Sequence, residues 1–230
     1  METTITPGTP THKRPRHVLP DGEIRPLLRG HFHQWAAITF FVAGIVMVVF
    51  AAPGVPRVSA AVYALCITTM LTTSALYHRV KWQPGNHSRM QRADHSGIFL
   101  AIAGTYTPIA TAMHGWPEPA LLIAAWTIAV LGIGFEWLPI RQPKGYVTGI
   151  YVTMGWIAVF AIPAMIEQLP GSALVLIAVG GLLYTGGAFV HAFKRPDPWP
   201  HTFGYHEIWH TAVVAAAVCH YLAVWFVLEH

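Results

Sequence analysis

Near the C-terminus the stretch HEIWHTAVVAAAVCHYLAV places His206 and His210 four residues apart at the head of an otherwise apolar run. At i and i+4 on a helix both imidazoles lie on one side, about one turn apart, the spacing a metal ion needs. His78 closes another apolar run, with Ser74 four residues before it on the same helical face. Asp94 opens a third. Three imidazoles with no thiolate close by suit Zn²⁺, at Zn–N distances of about 2.0–2.1 Å. Three protein ligands leave a fourth position for water, whose pKa such open sites lower to about 7. Asp94 is then a general base for that water or its orienting group. Ser74 can hydrogen-bond a substrate oxygen or a ligand histidine. Such a set describes a hydrolase site.

The elements that must position these residues follow from composition. Hydrophobic residues make up 54% of the 230-residue chain and charged ones 10%, against roughly 25% charged in an ordinary soluble domain. Crossing a hydrocarbon core takes about 20 apolar residues, and such runs occur near 35–53, 58–78, 95–113, 119–138, 147–166, 172–193 and 206–228. The expected fold is all-α, a polytopic seven-transmembrane helix bundle over residues 35–230. Residues 1–34, rich in Pro, Thr and Arg, are expected to form a disordered or interfacial cytoplasmic arm. The first apolar run lies too far from Met1, and is too long, for a cleaved leader. The expected location is therefore the cell (plasma) membrane, as a multi-pass protein.

Charge decides orientation. Lys13, Arg14, Arg16, Arg25 and Arg29 precede the first span; Arg79, Lys81, Arg89 and Arg92 follow the second; Arg141 and Lys144 follow the fourth; Lys194 and Arg195 follow the sixth. The other side holds Arg57, Glu118, Glu167 and Glu229. By the positive-inside rule the N-terminus is cytoplasmic and the C-terminus extracytoplasmic. The net charge of +4 is thus a topology signal, and without a basic-aromatic motif it gives no support for a nucleic-acid partner. Ionisable groups are expensive in a bilayer, yet His78, Asp94, His206, His210 and the hydroxyl of Ser74 all fall within a turn or two of the inner face.

Each of these residues has a plainer reading. Asp94 can be an N-cap for the third helix, and a lone histidine at a span end an interfacial hydrogen-bonder. His220, about 15 Å beyond His210 along a helix, is expected to hydrogen-bond within the bundle. His95 points about 100° away from Asp94 and reads as structural, and Glu136 as the partner of a loop cation. Cys66 and Cys219 read as small hydrophobes inside spans, and Pro108 and Pro163 as tolerated bends. Gly180, Gly181, Gly186 and Gly187 read as a thin packing face.

The stretches SALYH (74–78), RADHSGIFLAIAGTYTP (92–108) and GYHEIWHTAVVAAAVCHY (204–221), in that order, resemble the haemolysin III family. That family is grouped with the progestin and adipoQ receptors, adiponectin receptors among them, and with the alkaline ceramidases. The resemblance covers the chain after its N-terminal arm. It implies a seven-helix core with zinc near the cytoplasmic face, held by His78, His206 and His210, with Asp94 holding water and Ser74 accompanying it. It also implies a metal-dependent hydrolase of membrane lipid amides, while the family's name implies cell lysis.

Three rivals follow. HEIWH matches the H-E-x-x-H zinc-protease motif, with Glu207 as base and Asp94 or Asp197 as third ligand. On that reading Glu207→Gln abolishes activity, whereas on the family reading its effect is mild and that of Asp94→Asn severe. A receptor or regulatory protein can use zinc only to brace its helices. A cytolysin needs a polar stripe through its spans, and none is visible. The favoured reading is a zinc-dependent hydrolase of a membrane lipid amide or ester, with the lipid as its substrate or ligand.

Overall fold

A computed structural model describes residues 26–140 and 146–229. The helices are α1 (His31–Phe50), α2 (Val55–Arg79), α3 (Pro84–Thr111), α4 (Pro117–Trp137), α5 (Tyr146–Gly155), α6 (Ile162–Gln168), α7 (Gly171–Phe193) and α8 (Tyr205–Glu229), with a 3₁₀ turn at Ile157–Ala161 between α5 and α6. No strand occurs among the described residues. Six stretches are long and apolar enough to cross a membrane: α1, α2, α4, Val147–Gln168, α7 and α8. The protein is an all-α polytopic membrane protein, and the expected zinc-site residues lie on α2, α3 and α8. Residues 1–25 of the N-terminal arm, with Lys13, Arg14, Arg16 and Arg25, and the loop cations Arg141 and Lys144 lie outside the described residues. Residues 31–34, assigned to that arm from sequence, form the first turn of α1.

At 28 residues α3 is the longest helix described. It opens with the polar run PGNHSRMQRADH and so falls outside the six apolar stretches. Pro84 starts it, where a missing N–H costs nothing. The helix therefore begins well before the apolar run, and by Asp94 it has made nearly three turns. The N-cap reading of Asp94 is thereby overturned: the free amides of a helix belong to its first turn, and Asp94 is beyond them.

α3 packs against α2, α4, α5 and α8, and α8 also against α1, α2 and α7. Its apolar half supplies buried Phe99, Ala103, Tyr106, Ile109 and Ala110. Close approach to α2 depends on Gly97 and Gly104: a Cβ on Gly97 would stand 3.0 Å from the Met70 backbone, and one on Gly104 would strike Cys66. That approach sets Ser74 and His78 beside Asp94. On α7 only half of the expected glycine face is used against α8. Gly180 abuts His220 and Gly187 abuts Trp209 and Ala212, whereas a Cβ on Gly181 or Gly186 would meet open space.

The fifth apolar run, expected as one helix over 147–166, breaks in the middle. Pro163 lies at the start of α6, where its ring excludes the preceding turn and removes a donor. The groups freed by the break are satisfied from α3. The Tyr106 hydroxyl donates to the Gly155 carbonyl at 2.9 Å, with that of Met154 at 3.1 Å, and accepts from the Ala158 amide at 3.0 Å. Next to it, Thr107 Oγ1 accepts from Trp126 Nε1 on α4 at 3.1 Å. The GTYTP segment thus ties α3 to both neighbours.

Candidate metal centre

His78 is the penultimate residue of α2 and His206 the second of α8, with His210 one turn further in. One end of the bundle collects these helix ends. Leu27 and Leu28, ahead of α1, donate their amides to the carbonyls of His201 and Thr202, ahead of α8, at 3.0 and 3.2 Å. Arg92 on α3 donates to the Trp137 carbonyl at the end of α4 at 3.0 Å.

Within that end, one ring nitrogen from each of His78, His206 and His210 lies within 4.8 Å of the others. Nε2 of His206 is 3.3 Å from Nε2 of His78. Two nitrogens at about 2.05 Å from one tetrahedral zinc stand about 3.3 Å apart, so this pair already has the required separation. The ring centroids are 4.6–4.9 Å apart, and His78 and His210 are buried. Buried imidazoles with converging nitrogens and no thiolate among them form a donor set that fits Zn²⁺.

The other two expected residues join the cluster. Asp94 Oδ2 lies 3.7 Å from His78 Nε2. Ser74, buried one turn deeper on α2, hydrogen-bonds the Asp94 carboxylate. The carboxylate therefore stands beside His78 at the edge of the cluster, with Ser74 as a neutral donor to it.

Glu207, the base of the protease reading, is committed elsewhere. It is 1% exposed; its Oε1 accepts from Arg29 Nε at 2.7 Å, and its Oε2 accepts from the Gly204 amide at 2.9 Å. The second bond is half of a capping box at the start of α8. Asp197 Oδ1, the other acidic candidate for a ligand, accepts from the Tyr205 amide at 3.0 Å. Both acids serve the helix terminus that carries His206 and His210, and neither serves a metal.

The remaining histidines divide. His220 Nε2 lies 3.3 Å from the Ile177 carbonyl, a contact within the bundle as expected. Glu136 pairs not with a loop cation but with His95, whose Nδ1 is 3.4 Å from its Oε1, because α3, which carries His95, packs against α4. His33 went unnoticed in the sequence because it fell within the presumed arm. It is buried, and its ring stacks on that of His210 with centroids 3.9 Å apart. The Arg29–Glu207 pair, 178 residues apart in sequence, left no local signal at all.

Known proteins share sequence with this chain over most of its length. A family model described as Haemolysin-III related matches residues 23–221. The chain is 31% identical over 170 residues to Hemolysin-3 of Bacillus cereus, covering 72% of this chain and 73% of that protein. It is 28% identical over 170 residues to the Hemolysin-3 homolog of Bacillus subtilis, covering 74% and 76%. It is 26% identical over 174 residues to the human Monocyte to macrophage differentiation factor, covering 74% and 70%. With the match spanning most of its length and including every residue of the histidine cluster, the chain belongs to the haemolysin III family.

Proposed function

We propose that this protein is a zinc-dependent hydrolase that cleaves an amide or ester bond of a membrane lipid at the cytoplasmic leaflet. The observation that carries the reading is the convergence of three imidazoles, those of His78 and His210 buried and that of His206 partly buried, with Asp94 beside them. A structural zinc site fills its fourth position with a protein group, whereas a catalytic one keeps it open. Among the described residues the convergent group contains His78, His206 and His210; Asp94, whose Oδ2 is 3.7 Å from His78 Nε2, is assigned in this reading to the water at the open position.

His78, His206 and His210 would hold the ion, which when bound supplies Lewis acidity toward a carbonyl oxygen and acidifies water at neutral pH. Asp94 takes the proton from the attacking water and returns it to the leaving amine or alcohol. Ser74, by donating to the carboxylate, fixes the direction from which Asp94 does so. The surrounding apolar residues strengthen these interactions by excluding bulk water.

In the same reading the apolar half of α3 is the remaining span, packed against α2, α4, α5 and α8, and its polar start, with Asn86, Ser88, Arg89 and Gln91 exposed, projects beyond the hydrocarbon. The N-terminus is cytoplasmic and the C-terminus extracytoplasmic, since Arg29, Arg79 and Arg92 collect at the end that holds the histidines. That end then faces the inner leaflet of the plasma membrane, where a lipid linkage lies at the required depth.

The test is hydrolysis of a panel of ceramide-like amides and phospholipid esters by purified, zinc-loaded protein, with Asp94→Asn as control. Turnover lost in the variant supports the reading. Failure to cleave any of the panel, at full zinc occupancy, contradicts it and leaves zinc as a brace between α2 and α8. A second reading, membrane lysis, rests on the names of the two Bacillus relatives. Dye release from liposomes, with heat-inactivated protein as control, tests it separately.

A further inference from the structure

His33 lies in the first turn of α1 and is 3% exposed. Its ring is nearly parallel to that of His210, with centroids 3.9 Å apart and planes inclined by 21°. It approaches the His210 main chain, yet neither Nδ1 nor Nε2 makes a hydrogen bond of normal geometry. Nδ1 of His210 is also buried without a partner. Of the five unpartnered buried side-chain atoms among the described residues, three therefore meet at this single contact. The other two, Tyr63 Oη and Glu136 Oε1, lie elsewhere and lack a hydrogen bond, the latter being in ion-pair reach of His95.

A buried polar atom without a partner destabilises a fold, and an apolar side chain of the same size does not. Phenylalanine would fill the space beside His210 and preserve the stack. The nitrogens of His33 therefore call for a role other than packing. Histidines that ligate a metal are regularly oriented by a neighbour that engages them outside the coordination sphere, and those neighbours tune metal affinity. His33 is placed to do so from a helix that contributes none of the three ligands.

We propose that His33 is a positioning residue of the metal centre: it holds the His210 ring by stacking and, through its own ring nitrogens, sets the affinity and geometry of the bound ion. The inference rests on the zinc reading above, and extends the centre to α1. It joins three helix ends at one face of His210, so that metal binding fastens α1 to α2 and α8.

The experiment is zinc affinity by chelator competition, together with the visible absorption of the Co²⁺-substituted protein, for wild type, His33→Phe and His33→Gln. His33→Phe keeps the ring and removes the nitrogens. It is expected to weaken zinc binding about 10- to 100-fold and to alter the Co²⁺ bands. His33→Gln, which restores polar atoms, is expected to recover most of that affinity. His33→Met replaces the Phe variant if the latter is not recovered monodisperse. Zinc affinity within about twofold of wild type and an unchanged Co²⁺ spectrum in His33→Phe or His33→Met overturn the inference while leaving the three-histidine site intact. A wild-type protein that binds no zinc overturns the site itself, and the inference with it.

Discussion

Nε2 of His206 lies 3.3 Å from Nε2 of His78, although 128 residues separate them. Two imidazoles meeting nitrogen to nitrogen, one buried and one partly buried, share either a proton or a cation, and His210 completes a triangle around the same point. Only the close approach of α2, α3 and α8 at one end of the bundle produces this meeting.

Asp94→Asn removes the proton acceptor and keeps a polar side chain within reach of Ser74. Lipid hydrolysis is expected to fall about 100- to 10,000-fold, the usual worth of a general base, with zinc content unchanged. Initial rates at matched zinc occupancy check this; undiminished turnover in the variant removes Asp94 from the chemistry.

Ser74→Ala deletes one hydrogen bond to a carboxylate, worth about 1.5–3 kcal/mol. A tenfold change in rate corresponds to about 1.4 kcal/mol. Hydrolysis is thus expected to fall roughly 10- to 100-fold, less than for Asp94→Asn. A double variant no slower than Asp94→Asn alone would show that Ser74 acts through the carboxylate.

Glu207→Ala leaves Arg29 without its buried partner and α8 without its cap. Breaking a buried pair costs about 3–5 kcal/mol, so thermal stability in detergent is expected to drop sharply. The mild effect expected from sequence concerned the activity of Glu207→Gln; the burial of this carboxylate, invisible there, adds a cost in stability. Zinc bound per folded chain should stay at the wild-type level, as measured on the monodisperse fraction. Zinc lost without loss of stability would return Glu207 to the site.

Tyr106→Phe removes the hydroxyl that bridges the break between α5 and α6 and leaves the Ala158 amide unpartnered. A cost of about 1–3 kcal/mol is expected, seen as lowered thermal stability with zinc affinity unchanged. An unaltered melting profile would mean that other groups satisfy the break.

What the sequence disclosed follows from the cost of polarity in lipid. His78, Asp94, His206 and His210 stood out because each interrupts or borders an apolar run, and their shared depth follows once the spans are counted. Their meeting was inferred from shared depth, from the spacing of His206 and His210 and from the family resemblance, and the structure supplies the lateral placement through Gly97 and Gly104. Polar residues 84–95 hid the start of α3, because this end of the helix is largely exposed and carries no apolar run. Pro163 was visible but its consequence was not, since whether a proline bends or breaks a helix depends on neighbours such as Tyr106. His33 and the Arg29–Glu207 pair were missed because their significance lies in contacts across the bundle, which local spacing does not encode.

The most direct test of the central claim is the metal content of detergent-purified protein by mass spectrometry, compared between wild type and His210→Ala. The expected result is about one zinc per chain in the wild type and none in the variant, with both remaining folded. A wild-type protein free of zinc after chelator-free purification and attempted reloading would contradict the account, leaving His78, His206 and His210 as polar packing at one end of a helical bundle.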